Sequence, residues 1–267
     1  MIPEDDLPES FAVTHRGPVA CIERAARGGA PTWLLIHGWL CDRWFWTPFL
    51  SRLPETHGAV ACDLPGHGDT PPPAAWSLAA LTGTAEDLAR QLSDTDLILV
   101  GHSMGGFVAQ RLAAALGKAL NRLVLVTTAG GDTGGLISVR LARTSERFDP
   151  AAFDNLFPTW FGPDAEPEVF DFVGEVMLDN DWRFGRALAL DYADFDGAPL
   201  HPSISARTLV VGAAADGSTA PAQSVALAEA IDGAELAIVE RCGHFPMLEK
   251  PDQFTQILLE WETGTTR

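Results

Sequence analysis

A serine framed by glycines is the residue of this sequence best suited to act as a nucleophile. It lies in Gly101-His-Ser-Met-Gly105, between a predicted buried strand and a predicted helix. A glycine two residues to either side lets strand and helix approach without Cβ clashes, and the turn holds the serine oxygen above the sheet. The N-terminus of the following helix favours negative charge, and the Met104 N–H can donate to an oxyanion there. We therefore predict Ser103 as the nucleophile of an acyl-transfer reaction.

A general base and an acid follow Ser103 along the chain. A serine hydroxyl is a weak nucleophile at neutral pH and needs a base. His244 lies in the loop after the last predicted strand, where it can reach over the sheet edge, and we predict it as that base. Asp216 follows the strand predicted at residues 208–211 and can accept the other histidine N–H, which fixes the tautomer of the ring. Asp132, after the strand predicted at residues 122–126, is the alternative acid.

A second oxyanion donor should come from a loop after a neighbouring strand. His37-Gly-Trp39 follows the strand predicted at residues 32–36, so we predict that the Trp39 N–H faces the same point as the Met104 N–H. The side chains of Trp39 and Phe245 are the predicted substrate-binding surface, and Cys41 is close enough to line the same pocket. The histidines other than the predicted base are interpreted as structural: His15, His37, His57, His67, His102 and His201.

Strands and helices alternate around these residues. After an irregular hairpin at residues 10–25, apolar runs of strand length occur at residues 32–36, 58–62, 96–100, 122–126, 208–211 and 235–239. Helices are predicted between them, at residues 46–53, 77–92, 104–116, 222–231 and 251–262. Continuous apolar runs are typical of parallel strands buried on both faces, so the pattern predicts a mostly parallel sheet covered by helices. Residues 130–203 lack a strand pattern and are predicted to form a helical insertion.

Composition restricts the class of partner. The chain has 267 residues with 18 Lys and Arg against 36 Asp and Glu, a net charge of −18, which argues against binding to nucleic acid or an anionic membrane surface. No apolar run approaches the ~20 residues that span a bilayer, and residues 1–6 lack a secretory pattern. The four cysteines are scattered, which favours reduced thiols in the cytoplasm over zinc sites or disulfides. We expect a small-molecule substrate and a monomer or homodimer.

Much of the negative charge lies in the insertion. Between Asp149 and Asp196 there are twelve acidic residues, opposed only by Arg183 and Arg186. This acidity is interpreted as a solvated helical surface. The alternative interpretation is a field over the pocket mouth that disfavours anionic substrates.

Four motifs together resemble the α/β-hydrolase fold superfamily, in its serine hydrolase and esterase branch. They are Leu34-Leu-Ile-His-Gly-Trp39, Asp63-Leu-Pro-Gly-His-Gly68, Gly101-His-Ser-Met-Gly-Gly106 and Gly243-His-Phe-Pro-Met-Leu-Glu-Lys-Pro251. The resemblance implies an eight-stranded, mostly parallel sheet, with a core of residues 1–129 and 204–267 and a helical cap of residues 130–203. It also implies a Ser103–His244–Asp216 triad and an oxyanion hole at Trp39 and Met104. The family often has Gly-x-x-Asp before the acid, whereas Ala213 stands at the glycine position here.

These residues predict a serine hydrolase that cleaves a small, fairly apolar carboxylic ester or lactone through an acyl-enzyme on Ser103. The reaction requires no metal or organic cofactor. Haloalkane dehalogenases and epoxide hydrolases of this fold use an aspartate at the nucleophile position, so Ser103 disfavours those reactions.

Other reactions on the same triad stay open as alternatives. They are carbon–carbon bond hydrolysis, thioester hydrolysis and cofactor-free elimination, and a non-enzymatic small-molecule receptor is a further alternative. Relatives that act on carboxylated substrates usually place an arginine in the pocket, and some place one where Phe107 stands. Arginines available in the insertion are Arg140, Arg143, Arg147, Arg183 and Arg186.

Overall fold

Eight strands form one sheet in a computed structural model that describes residues 7–144 and 146–265. The strands are β1 (Ala12–Arg16), β2 (Val19–Arg24), β3 (Thr32–Ile36), β4 (Gly58–Cys62), β5 (Leu97–His102), β6 (Arg122–Val126), β7 (Arg207–Ala213) and β8 (Glu235–Val239). Their order in the sheet is β1-β2-β4-β3-β5-β6-β7-β8. The pairs β1–β2 and β2–β4 are antiparallel, and every other pair is parallel. The predicted mostly parallel, eight-stranded sheet is confirmed.

Ten α-helices connect and cover the strands within the described residues. They are α1 (Thr47–Leu50), α2 (Leu78–Gln91), α3 (Met104–Leu116), α4 (Ile137–Thr144), α5 (Pro150–Leu156), α6 (Pro167–Asp179), α7 (Trp182–Asp191), α8 (Pro221–Ala230), α9 (Pro246–Glu249) and α10 (Pro251–Thr263). Short 3-10 turns occur at Arg43–Trp46, Gly117–Ala119, Thr133–Gly135, Phe157–Trp160 and His201–Ser203. Helix α3 packs on β3, β5 and β6, and α8 packs on β7 and β8. Among the described residues, no helix is both long and apolar enough to cross a bilayer.

Most predicted elements agree with the observed ones, and the exceptions have local causes. The helix predicted at residues 46–53 is a 3-10 turn followed by the single turn of α1, and Pro54 disfavours helix at the residue before it. Strand β5 continues two residues beyond its prediction, because Gly101 pairs with Ile36 and Leu125 in the neighbouring strands. Glycine is a poor strand former, so its pairing was not predictable from the local sequence.

The chain between β6 and β7 is helical, as the sequence predicts. Helices α4 to α7 lie within residues 130–203, which we call the insertion. Its division from a core at residues 1–129 and 204–267 stays a proposal, and residues 1–6, with the predicted lack of a secretory pattern, lie outside the described part of the chain.

Candidate active site

The predicted nucleophile lies on a tight turn between β5 and α3. Ser103 has φ +51° and ψ −119°, in a region that few residues other than glycine adopt. Its N–H donates to the Val126 carbonyl at 2.9 Å, and the Thr128 hydroxyl donates to the Ser103 carbonyl at 2.7 Å. A Cβ on Gly105 would lie 2.4 Å from the His37 carbonyl oxygen. The strained conformation is therefore held by neighbouring backbone that only a glycine at 105 allows to approach.

We expect Gly105→Ala to reduce both stability and activity. The added methyl would displace the backbone of the loop after β3, at a cost of about 1–3 kcal/mol or more in the free energy of unfolding. Gly83→Ala is the matched control, because Gly83 also lies in a helix and its added Cβ would meet nothing within 4 Å. That control should instead gain about 0.5–1 kcal/mol from better helix propensity. Urea unfolding measures both changes, and equal effects at the two sites would contradict the close contact at Gly105.

The structure brings the three predicted triad residues together. His244 Nε2 lies 2.9 Å from Ser103 Oγ, and His244 Nδ1 lies 2.8 Å from Asp216 Oδ2. The other carboxylate oxygen, Asp216 Oδ1, accepts the N–H groups of Ser218 at 2.8 Å and Thr219 at 2.9 Å. With Asp216 ionised, Nδ1 carries the proton and Nε2 is left to accept from the serine hydroxyl. The alternative acid, Asp132, is exposed and is not part of this constellation.

Two buried side chains hold the backbone of His244. Its carbonyl accepts the Thr127 hydroxyl at 2.9 Å and His102 Nε2–H at 2.9 Å. Burial lowers the pKa of His102 well below its ordinary value, so the ring stays neutral. His102 thus supports the residue that we predict as the base, and it also lines the cavity at Ser103.

The loop after β3 packs directly against Ser103. A Cβ on Gly38 would lie 3.2 Å from Ser103 Cβ. His37 accepts the Leu64 N–H at Nε2 (2.9 Å) and therefore donates from Nδ1 to the Gly38 carbonyl at 2.8 Å. Because C=O and N–H of a trans peptide point in opposite directions, this bond also fixes the direction of the Trp39 N–H. Met104 begins α3, so its N–H has no acceptor within the helix.

A partly open cavity of about 10 Å³ lies at the serine. Its walls come from the core loops and from the insertion: Trp39, Cys41, His102, Ser103, Ser138, Trp160, Ser218, His244 and Phe245. The predicted wall residues Trp39 and Phe245 are among them, and so is Cys41. Sequence reasoning missed Trp160, Ser138 and Ser218, since no local pattern directs these side chains to the site. A cavity of this volume holds about one water molecule, so we expect a wall to move when a substrate binds.

The insertion is attached to the loop after β3 beside this cavity. The Trp39 indole N–H donates to the Gly185 carbonyl at 2.8 Å, and the Asn180 amide donates to the Leu40 carbonyl at 3.2 Å. These two bonds join α7 and the turn before it to Trp39 and Leu40, in the loop that carries the predicted oxyanion donor. Trp39 is therefore both a wall of the cavity and a contact between core and insertion.

Asp42, in the same loop, is a buried carboxyl group. Burial, and then the nearby Asp63 carboxylate, raise its pKa to about 7, although it accepts the Trp44 N–H at 3.0 Å. An acid with a raised pKa in the folded state favours folding while it is protonated. That contribution is lost as the pH rises from about 4, where the unfolded group ionises, through 7.

We therefore expect Asp42→Asn to be more stable than the wild type at high pH. The amide oxygen can still accept the Trp44 N–H, and the cost of ionising a buried group disappears. The gain should be close to zero at pH 4 and reach about 2–4 kcal/mol above pH 8. Urea unfolding at pH 5 and pH 8.5 measures the difference. A gain that does not grow with pH would contradict the raised pKa.

Comparison with known proteins identifies the family. Residues 33–257 match the profile of the alpha/beta hydrolase family. The pimeloyl-[acyl-carrier protein] methyl ester esterase of Neisseria meningitidis serogroup B (strain H44/76) is 30% identical over 249 residues, covering 87% of this chain and 93% of that protein. The enol-lactonase from Burkholderia xenovorans LB400 has a TM-score of 0.78 at 27% identity, covering 95% of this chain and 99% of the other. A thermophilic esterase from Thermogutta terrifontis has a TM-score of 0.79 at 25% identity, covering 95% and 97%.

This chain belongs to the alpha/beta hydrolase family. The resemblance inferred from the four motifs is thereby confirmed, and so are the predicted fold class and the predicted enzyme class of hydrolase.

Proposed function

We propose that this protein is a serine hydrolase that cleaves small, fairly apolar carboxylic esters or lactones through an acyl-enzyme on Ser103. The observation that supports this proposal most directly is the chain of hydrogen bonds from Ser103 through His244 to Asp216. Ser103 Oγ lies 2.9 Å from His244 Nε2, and His244 Nδ1 lies 2.8 Å from Asp216 Oδ2. Ester cleavage is further supported by the relatives, which are named as a methyl ester esterase, an esterase and an enol-lactonase.

Acylation begins when His244 Nε2 takes the proton of Ser103 Oγ as the oxygen attacks the carbonyl carbon. The carbonyl oxygen becomes an oxyanion, which accepts the N–H groups of Trp39 and Met104, each contributing about 3 kcal/mol to the transition state. The protonated His244 then gives its proton to the leaving alkoxide, and the alcohol departs. Asp216 keeps the ring oriented and stabilises the imidazolium.

Deacylation repeats these steps with water. His244 removes a proton from a water molecule, which attacks the acyl carbon and forms a second oxyanion. Collapse of that intermediate breaks the bond to Ser103 Oγ, which takes the proton back from His244. A lactone reacts in the same way, except that its alcohol remains attached to the acyl group.

The cavity has polar and aromatic walls, and the aromatic walls support the apolar part of the proposed substrate. Three aromatic side chains, those of Trp39, Trp160 and Phe245, line a space with two small hydroxyl groups, those of Ser138 and Ser218. None of the insertion arginines is among the described residues that line this cavity, which gives no support to elimination from a carboxylated substrate. Cytoplasmic location and a monomeric or homodimeric state remain predictions.

A panel of substrates tests the proposal. It contains p-nitrophenyl esters of increasing chain length, a lactone, an acyl thioester and a ring-fission diketone. We expect turnover of acetate and butyrate esters, falling with longer chains, together with turnover of the lactone. If only the diketone is turned over, the protein is a carbon–carbon bond hydrolase and the proposal of ester hydrolysis is wrong.

A matched pair of esters tests the effect of the acidic insertion. Asp42, Asp69, Asp179 and Asp181 line a cleft of about 420 Å³ beside the attachment at Asn180. We expect a lower kcat/KM for mono-p-nitrophenyl succinate than for the butyrate ester, because the succinate carries a carboxylate. Salt should reduce the difference by screening. If the ratio of kcat/KM for the two esters does not change with salt, the acidic residues of the insertion are better interpreted as a solvated surface.

A further inference from the structure

Glu249 is a buried carboxylate that the mechanism does not use. It ends α9, is 8% exposed, and accepts three backbone N–H groups. Its Oε2 accepts from Gly162 at 2.8 Å and Gly243 at 2.9 Å, and its Oε1 accepts from Phe245 at 3.1 Å. A carboxylate can accept several N–H groups at once, and charge-assisted bonds of this kind are about twice as strong as neutral ones.

Two of these N–H groups bracket His244. Gly243 and Phe245 are its neighbours in the chain, so one carboxylate holds the backbone N–H of the residue before the proposed base and of the residue after it. The His244 carbonyl is held from the opposite direction by Thr127 and His102. The position of the imidazole therefore depends on Glu249 on one side of the loop.

The third N–H group belongs to the insertion. Residues 157–164, which we call the strap, contact two loops through their main chain. One loop carries His244 and the other carries Asp216. The Trp160 carbonyl accepts the His244 N–H at 2.5 Å, and the Thr159 carbonyl accepts the Gly217 N–H at 3.0 Å. A Cβ on Gly243 would lie 2.1 Å from the Trp160 oxygen, so the strap lies in direct contact with the histidine loop. Glu249 joins these two segments through a single side chain.

We propose that Glu249 is a positioning residue, which holds the His244 loop and the strap together so that the imidazole stays within hydrogen-bond distance of Ser103 Oγ. An amide at this position has one acceptor oxygen, and its NH₂ group would face a backbone N–H. Glu249→Gln therefore removes at least one of the three hydrogen bonds while preserving the size of the side chain. The effect on rate acts through His244, since Glu249 does not reach the cavity.

The inference rests on the proposed function, and steady-state kinetics with p-nitrophenyl butyrate tests it. We expect Glu249→Gln to lower kcat by about 10²-fold, the size of loss that an ångström-scale misplacement causes, with KM within about twofold. Glu249→Asp keeps the charge but has a shorter reach, so its kcat should fall between those of the wild type and the Gln variant. Labelling of Ser103 by a fluorophosphonate should slow in the same order.

Two comparisons separate positioning from general loss of stability. Leu258, in α10, is fully buried and lies outside the cavity, so Leu258→Ala supplies a destabilised control whose kcat should stay near that of the wild type. Wild-type kcat in Glu249→Asp and in any folded Glu249→Gln would overturn the proposal. So would an equal loss of kcat in Leu258→Ala at a matched fall in Tm. A wild-type protein that labels at Ser103 but cleaves no ester would instead contradict the proposed function alone.

Discussion

Ser103→Ala is expected to lower kcat on p-nitrophenyl butyrate by about 10⁴- to 10⁶-fold, the range found when a triad serine is removed. Without Oγ no acyl-enzyme can form, and water must attack the ester directly. The cavity and the oxyanion donors remain, which accounts for residual catalysis over water. Fold should be retained, because the backbone bonds of residue 103 to Val126 and Thr128 do not involve its side chain.

Ser218→Ala is the matched control, since Ser218 lines the same cavity and its bond to Asp216 is made by its backbone N–H. It should reduce kcat/KM far less than Ser103→Ala. Mass spectrometry after brief exposure to a fluorophosphonate should find one adduct on the wild type, located on residue 103, and none on Ser103→Ala. Full turnover by Ser103→Ala would falsify the proposed mechanism.

Asp216→Asn is expected to lower kcat by about 10⁴-fold, with little change in stability. The amide oxygen can keep the two backbone N–H bonds from Ser218 and Thr219 that Oδ1 accepts. The NH₂ group then takes the position of Oδ2 and faces His244 Nδ1. Because NH₂ only donates, the ring must carry its proton on Nε2 instead, where it can no longer accept the proton of Ser103.

Asp132→Asn provides the control for charge. Asp132 is the other acid that the sequence offered, and it is exposed. Its replacement should leave kcat essentially unchanged between pH 6 and 9. Similar losses in both variants would mean that the proposed triad depends on overall charge rather than on the bond to Nδ1.

The central elements of the fold could be predicted because burial leaves a strong local pattern. Strands β3, β4 and β6 begin and end at the predicted residues, since each is a largely buried apolar run followed by a polar residue. Strand β8 also keeps its predicted bounds, although it lies at the edge of the sheet and only Val239 in it is buried. The meeting of Ser103, His244 and Asp216 could be predicted for a related reason. Parallel strands all end at one edge of the sheet, so reactive residues placed just after them meet there.

The contacts of the insertion could not be predicted in this way. Trp160 lies at the cavity because main-chain bonds join residues 159 and 160 to residues 217 and 244, far along the chain. The local sequence around Trp160 contains no periodic pattern that would predict this placement. Glu249 lies within a motif that the sequence analysis used, but the three N–H groups it accepts come together only in the folded chain. Long-range main-chain contacts of this type leave no trace in local spacing.

Strands β6 and β7 are neighbours in the sheet, although the chain between them runs from Thr127 to Ala206. Ser103 and His244 are correspondingly 141 residues apart. The ribosome makes the first six strands long before it makes His244. A nascent chain that had already folded these strands would carry the serine turn without the proposed base, so we expect it to be inert toward esters until its last strands join the sheet.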